Sequence, residues 1–183
     1  MTNTVSQIVL RNVIGPDSAW FWTMIQGIAV TITLILIYRQ LVAQRFSNIL
    51  SSVATLDERW NAPEMRKTRK ALCAKHGGKD RSISQQDGLV LDFFEQMGLY
   101  LKKGVFTVDI LWDLYSYYVE HYWQIAEPLI TEYRSHTKDK TWYTAFESLR
   151  DRLQKESQRR GVRIESKTQE EIKQFIKGEN EKV

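Results

Sequence analysis

Cysteine occurs once, proline three times and glycine nine times in 183 residues. A lone thiol, Cys73, excludes an internal disulfide and a thiolate zinc cage, and it suits a reducing compartment. So few helix breakers, with apolar residues recurring at steps of three and four, point to an all-α protein. There is no internal repeat. His121 and His136 show no ligand-like spacing with each other or with carboxylates, so no metal site and no cofactor is indicated. The net charge of +4 is small. Much of it lies near the apolar stretch described next, where anionic lipid headgroups explain it at least as well as nucleic acid does.

The most informative absence is of charge. In a chain that is 26% charged, Trp20 to Tyr38 holds neither a charge nor a proline. As a helix this run spans roughly 28 Å, close to the ~30 Å hydrocarbon core of a bilayer. Trp20 and Trp22 stand at one end and Tyr38 at the other, where amphipathic rings favour the headgroup level. The run is too long for a signal-peptide core, its start lacks a basic cluster, and bulky residues occupy its exit, so it reads as an anchor. Arg39, Arg45, Arg59, Arg66, Lys67, Arg69 and Lys70 follow it, against Arg11 alone before it. This bias puts the N-terminus outside and the rest in the cytosol, as a single pass through the inner (cytoplasmic) membrane.

The faces of that helix differ. Thr23, Gln26, Gly27, Thr31 and Thr33 fall within an arc of roughly 160°, opposite Ile25, Ile28, Ile32, Ile35 and Leu36. Polar side chains in lipid seek a partner or water, and Thr23, Gly27 and Thr31 form a small-residue row that lets backbones approach. The expectation is a homo-oligomer through the span. The competing possibility is that each Thr hydroxyl bonds back to its own helix, leaving only Gln26 in need of a partner.

Beyond the span, Val42, Phe46, Ile49, Val53, Leu56 and Trp60 form a seam on a continuing helix. It packs either against the same helix in neighbouring copies or against its own domain. Such a helix would couple the domain rigidly to the span. Pro63 then suits a first helical turn capped by Asn61 or Ala62. A basic helix from Glu64 to His76 ends at Gly77-Gly78, and Gly77–Gln86 is a polar loop. A helix from Asp87 to Lys103 follows, with Glu95 in apolar surroundings. Asp109 to Tyr133 is the central helix, its seam running through Leu111, Tyr115, Tyr118, Tyr122, Ile125 and Leu129, with a bend at Pro128. A last core helix presents Trp142, Phe146, Leu149 and Leu153. The tail is either a solvated arm or a docking element, with a short helix through Ile172, Phe175 and Ile176.

The resulting layout is a short extracytoplasmic segment (1–18), a transmembrane helix (19–38), a juxtamembrane helix (39–60), a cytosolic antiparallel helical bundle (61–155) and a charged tail (156–183). Residues 1–18 hold Val5, Ile8, Val9 and Ile14, an interfacial turn or two before Gly15-Pro16, and Asp17 or Ser18 caps the span.

Arg69 and His76 resemble the loose Arg-x(4–6)-His signature of HEPN ribonucleases. There a His and an Arg promote attack of a ribose 2′-hydroxyl on the adjacent phosphate, which requires a proton acceptor beside a fixed cation. The bland alternative for His76 is a cation relieving a helix C-terminus.

Leu91-Asp92-Phe93-Phe94-Glu95, Gly98, Gly104, Tyr122-Trp123, Glu127-Pro128-Leu129-Ile130 and Arg134 together resemble a widespread bacterial family of uncharacterised function. Its members carry one N-terminal span and a helical cytosolic domain, and the likeness covers roughly 20–153. The layout is also similar to the small membrane accessory proteins of RNA-targeting CRISPR systems, which assemble as multimeric pores, strengthen antiviral defence and carry a divergent HEPN motif. By position, Glu95 and Arg134 would be the family's structural charged pair. The resemblance implies a non-enzymatic pore-forming or membrane-perturbing accessory protein, with Thr23, Gln26, Gly27, Thr31 and Thr33 facing inward. The alternatives are a tethered ribonuclease using Arg69 and His76, or an anchored domain that binds a cytosolic protein or an RNA–protein partner.

Overall fold

The computed structural model describes residues 19–78, 80–162 and 168–181. The interfacial turn and the Asp17 or Ser18 cap expected within 1–18 lie outside the described residues. Among the described residues the fold is all-α, with six helices and no strand: α1 (Ala19–Asn61), α2 (Pro63–Ala74), α3 (Gln85–Lys102), α4 (Val108–Thr137), α5 (Thr144–Arg159) and α6 (Gln169–Glu181). The chain divides into two compact units, 1–51 and 52–183.

The described part of the first unit is helix alone. α1 is one unbroken helix of 43 residues and is long and apolar enough to cross a membrane. Its buried side chains, Leu56 and Trp60, both belong to the second unit. The seam along α1 therefore splits: Leu56 and Trp60 pack into the bundle, while Val42, Phe46 and Leu50 stay more than half exposed.

The second unit is organised around Trp60. Its indole stacks on Phe93 at 5.0 Å and meets Phe94, Tyr115, Tyr118 and Tyr122 edge-on. Such offset and edge contacts match the electron-poor rim of one ring to the electron-rich face of another. α2 starts with Ala62 as its cap and Pro63 in the first turn, where a missing N–H costs nothing. α3 starts earlier than Asp87 because Ser84 caps it. The Asp87 N–H donates to Ser84 Oγ and the Ser84 N–H donates to Asp87 Oδ2, a reciprocal pair. Lys75 Nζ, 2.6 Å from Asp87 Oδ2, compensates that fully buried carboxylate.

α4 runs through Pro128 to Thr137, four residues beyond the expected end, and stops at Lys138 in the left-handed conformation (φ 55°). α5 lies antiparallel to it, since each helix's end pairs with the other's start. Arg134 reaches Glu147, and Arg160 reaches Asp109 and Asp113. Two expectations are corrected here. Trp142 precedes α5 and is 41% exposed, because the chain is still turning through Tyr143 (φ 57°). The bundle also does not end at residue 155: α5 continues to Arg159 and Glu156 is buried.

The tail splits as well. Gly161 (φ 70°) breaks the chain after α5, and α6 carries its own start signal. The Glu171 N–H donates to Thr168 Oγ1 while Thr168 N–H donates to Glu171 Oε2. α6 packs chiefly on α2 and buries Ile172, Phe175 and Glu179. It is a docked helix.

Candidate functional site

Two regions hold most of the residues singled out from the sequence; His76, Glu95 and Arg134 lie elsewhere. The first is the arc on α1. Thr23 Oγ1 donates to Ala19 O, Thr31 Oγ1 to Gly27 O and Thr33 Oγ1 to Ala29 O, each at 2.8 Å. All three hydroxyls are thus satisfied inside their own helix and do not themselves require a partner helix. Gln26 stands exposed on the same arc, and a Cβ at Gly27 would meet nothing within 4 Å. In lipid the Gln26 amide is the group left to find a partner.

The second region is a buried charged centre between α2, α4 and α6. Arg69 is 2% exposed, and its Nε lies 3.2 Å from Glu179 Oε2. The Tyr122 hydroxyl donates to the same oxygen at 2.8 Å. The guanidinium sits 4.0 Å over the Trp60 ring, a cation on the electron-rich face of an indole. Arg69 Nη1 is buried without a hydrogen-bond partner. Burial, the first cause, and the neighbouring Glu179 carboxylate hold the Tyr122 phenol far above its ordinary range, so it is a fixed donor. His121 lies beside this centre, buried, its ring stacked on Phe175 at 4.6 Å and its Nδ1 2.6 Å from Tyr117 O.

This geometry bears on the ribonuclease pair. Arg69 is committed to Glu179 and Trp60 in the interior, whereas a scissile phosphate needs a cation open to solvent. His76 lies past the end of α2, half-buried in a turn where its N–H donates to Cys73 O. No ion pair or hydrogen bond joins the two among the described residues.

The proposed pair of Glu95 and Arg134 does not form. Glu95 accepts from the backbone N–H groups of Ala145 (3.2 Å) and Phe146 (2.7 Å). Arg134 donates to Trp142 O and Glu147 Oε2, each at 2.9 Å. The reason is local. Tyr143 gives α5 no side-chain cap, so a carboxylate from α3 takes the unsatisfied N–H groups at the positive end of that helix. Both residues brace the start of α5 by separate routes. Gly98, one turn along α3, allows this approach, because a Cβ there would lie 2.1 Å from Ala145 O.

Sequence reasoning missed the centre beneath α6. The signal was a basic α2 facing an acidic amphipathic α6, but nothing in the spacing places Glu179 opposite Arg69. It also missed an open cleft of about 470 Å³ lined by Arg81, Ser82, Ile83, Glu132, Tyr133 and His136. Among the described residues no cluster of three or more His, Cys, Asp or Glu side chains is placed to hold a metal ion.

A family model described as a domain of unknown function (DUF4760) matches residues 23–153, more than half of the chain. No curated protein and no solved structure matches it.

Proposed function

The chain belongs to the DUF4760 family, and from that premise we propose that it is a single-pass membrane protein that self-associates through α1. One observation carries this reading: the exposed apolar face of α1 is longer than a bilayer is thick. Exposed Trp20 and exposed Leu50 bracket about 46 Å of helix, against a hydrocarbon core of about 30 Å. Lipid covers the span. Leu41, Val42, Phe46 and Leu50, interleaved with Arg39 and Arg45, lie past it and are left to a protein partner. Copies anchored by one span share an orientation, so their seams meet in parallel, as 4–3 spacing favours.

The positive side of the span faces the cytosol of the inner membrane, with the bundle there and anionic headgroups around Arg39 and Arg45. Helices pack about 8–10 Å apart, so about five or more copies leave a water-sized lumen lined by Gln26, while fewer give a closed bundle. The resemblance in layout to CRISPR membrane accessory proteins extends the reading to a membrane-perturbing role in antiviral defence.

Particle mass in detergent tests the self-association. The wild-type chain runs as a discrete oligomer and Phe46→Glu as a monomer with unchanged helicity. Gln26→Leu retains the oligomer and alters ion flux in liposomes. A solitary wild-type particle in several detergents overturns the reading.

A further inference from the structure

The Arg69 centre is not explained by membrane assembly. Arg69, Trp60, His121 and Tyr122 all lie within the residues matched by the family model, whereas α6, which covers them, lies outside it. The buried cation thus lies within the matched residues and its counter-ion beyond them. α6 has its own local boundaries. Gly161 (φ 70°) precedes it, Thr168 and Glu171 give it an independent start, and only Ile172, Phe175 and Glu179 are buried. Gly178 weakens it as a helix in isolation, so its order depends on what it rests on.

Its fit to the surface is specific in charge. α2 carries Arg66, Lys67, Arg69 and Lys70 against Glu64, while α6 carries Glu170, Glu171, Glu179 and Glu181 against Lys173 and Lys177. The apolar part of the contact is Phe175 against His121 and Tyr122. The fit is also incomplete: Arg69 Nη1 remains without an acceptor, and Nε faces Glu179 at 3.2 Å without forming a hydrogen bond. A cation this deep requires an anion, yet the one present leaves Nε and Nη1 of its donor fork unbonded.

We infer that the α2–α4 face around Arg69 is a docking site for an acidic amphipathic helix of a partner protein, and that α6 occupies it in cis as a displaceable cover. The partner helix carries apolar residues at i and i+3 and a carboxylate at i+7, the spacing of Ile172, Phe175 and Glu179. Binding requires α6 to leave, so α6 sets the threshold for recruitment. The assignment is independent of self-association through α1.

The test uses the full chain in detergent and a fluorescein-labelled peptide of the α6 sequence, residues 169–181. Glu179→Gln keeps the shape and removes the charge, and Phe175→Ala loosens the contact without touching Arg69. In both variants, hydrogen exchange across α6 rises at least tenfold while α3, α4 and α5 keep their protection. The peptide binds both variants at least tenfold more tightly than it binds wild type, and a peptide carrying Gln in place of the Glu179 carboxylate does not bind. Loss of protection in α3–α5 together with α6, or failure of the peptide to bind either variant, overturns the inference, because α6 is then an integral part of the bundle.

Discussion

At Gly98 the side chain is absent because another backbone occupies its place. The nearest neighbour of an added Cβ is the carbonyl oxygen of Ala145, at 2.1 Å, and no rotamer change can move it. Gly98→Ala should force α3 and α5 apart and weaken the Glu95 bonds to the start of α5. We expect a loss of about 1–3 kcal/mol of stability, read from chemical denaturation. Gly98 was visible in the sequence as part of a motif, but its reason was not, since a glycine inside a helical pattern looks the same whether it faces solvent or another chain segment. Glu95 and Arg134 illustrate the same limit. Both charges were legible as needing partners. Which partner each takes depends on how Tyr143 turns the chain, and that leaves two N–H groups pointing at Glu95.

Between elements, the end of α5 is clamped to the start of α4 by Glu156, Arg159, Arg160, Asp109 and Asp113. Arg160 also lies 4.0 Å over Trp112. Hydrogen bonds from Arg159 and then Arg160 lower the Glu156 carboxyl from 4.5 to about 2. A folded-state value below the unfolded one means that the native state holds the proton less tightly. The stabilisation is therefore complete above pH 4.5 and is lost as pH falls toward 2. Thermal melts across that interval should show a falling midpoint in the wild type and a flatter profile in Glu156→Gln; identical profiles would remove Glu156 from the clamp. From the sequence alone the bundle ends one residue before Glu156, because beyond Lys155 a charge-rich string looks like solvated tail. Charge density marks solvent exposure only when no opposite charge waits on a neighbouring helix.

Across the whole molecule, the two units differ in what satisfies them. The second contains its own core, with Trp60 at its centre and Leu72, Leu91, Phe94 and Phe146 fully or almost fully buried. Among its described residues, the first offers mostly exposed apolar surface along α1 and no buried side chain. A fragment beginning at Ser52 keeps Leu56 and Trp60, so it should fold without detergent and melt cooperatively within a few degrees of the full chain. Differential scanning calorimetry of the fragment checks this, and a fragment lacking a cooperative transition would mean that the bundle depends on the span.

The sequence by itself determined the helical class, the uncharged run long enough to cross a bilayer, and the apolar seam that continues along α1. Each follows from local periodicity and composition, which act over one or two helical turns and need no knowledge of distant segments. Only the tertiary structure decided how that seam divides at Leu56, which acceptors Glu95 and Arg134 meet, and that the tail returns to neutralise Arg69. Those outcomes pair residues as far as 110 positions apart, and at that separation partnership is set by which helices share a face. Spacing along the chain carries no record of it.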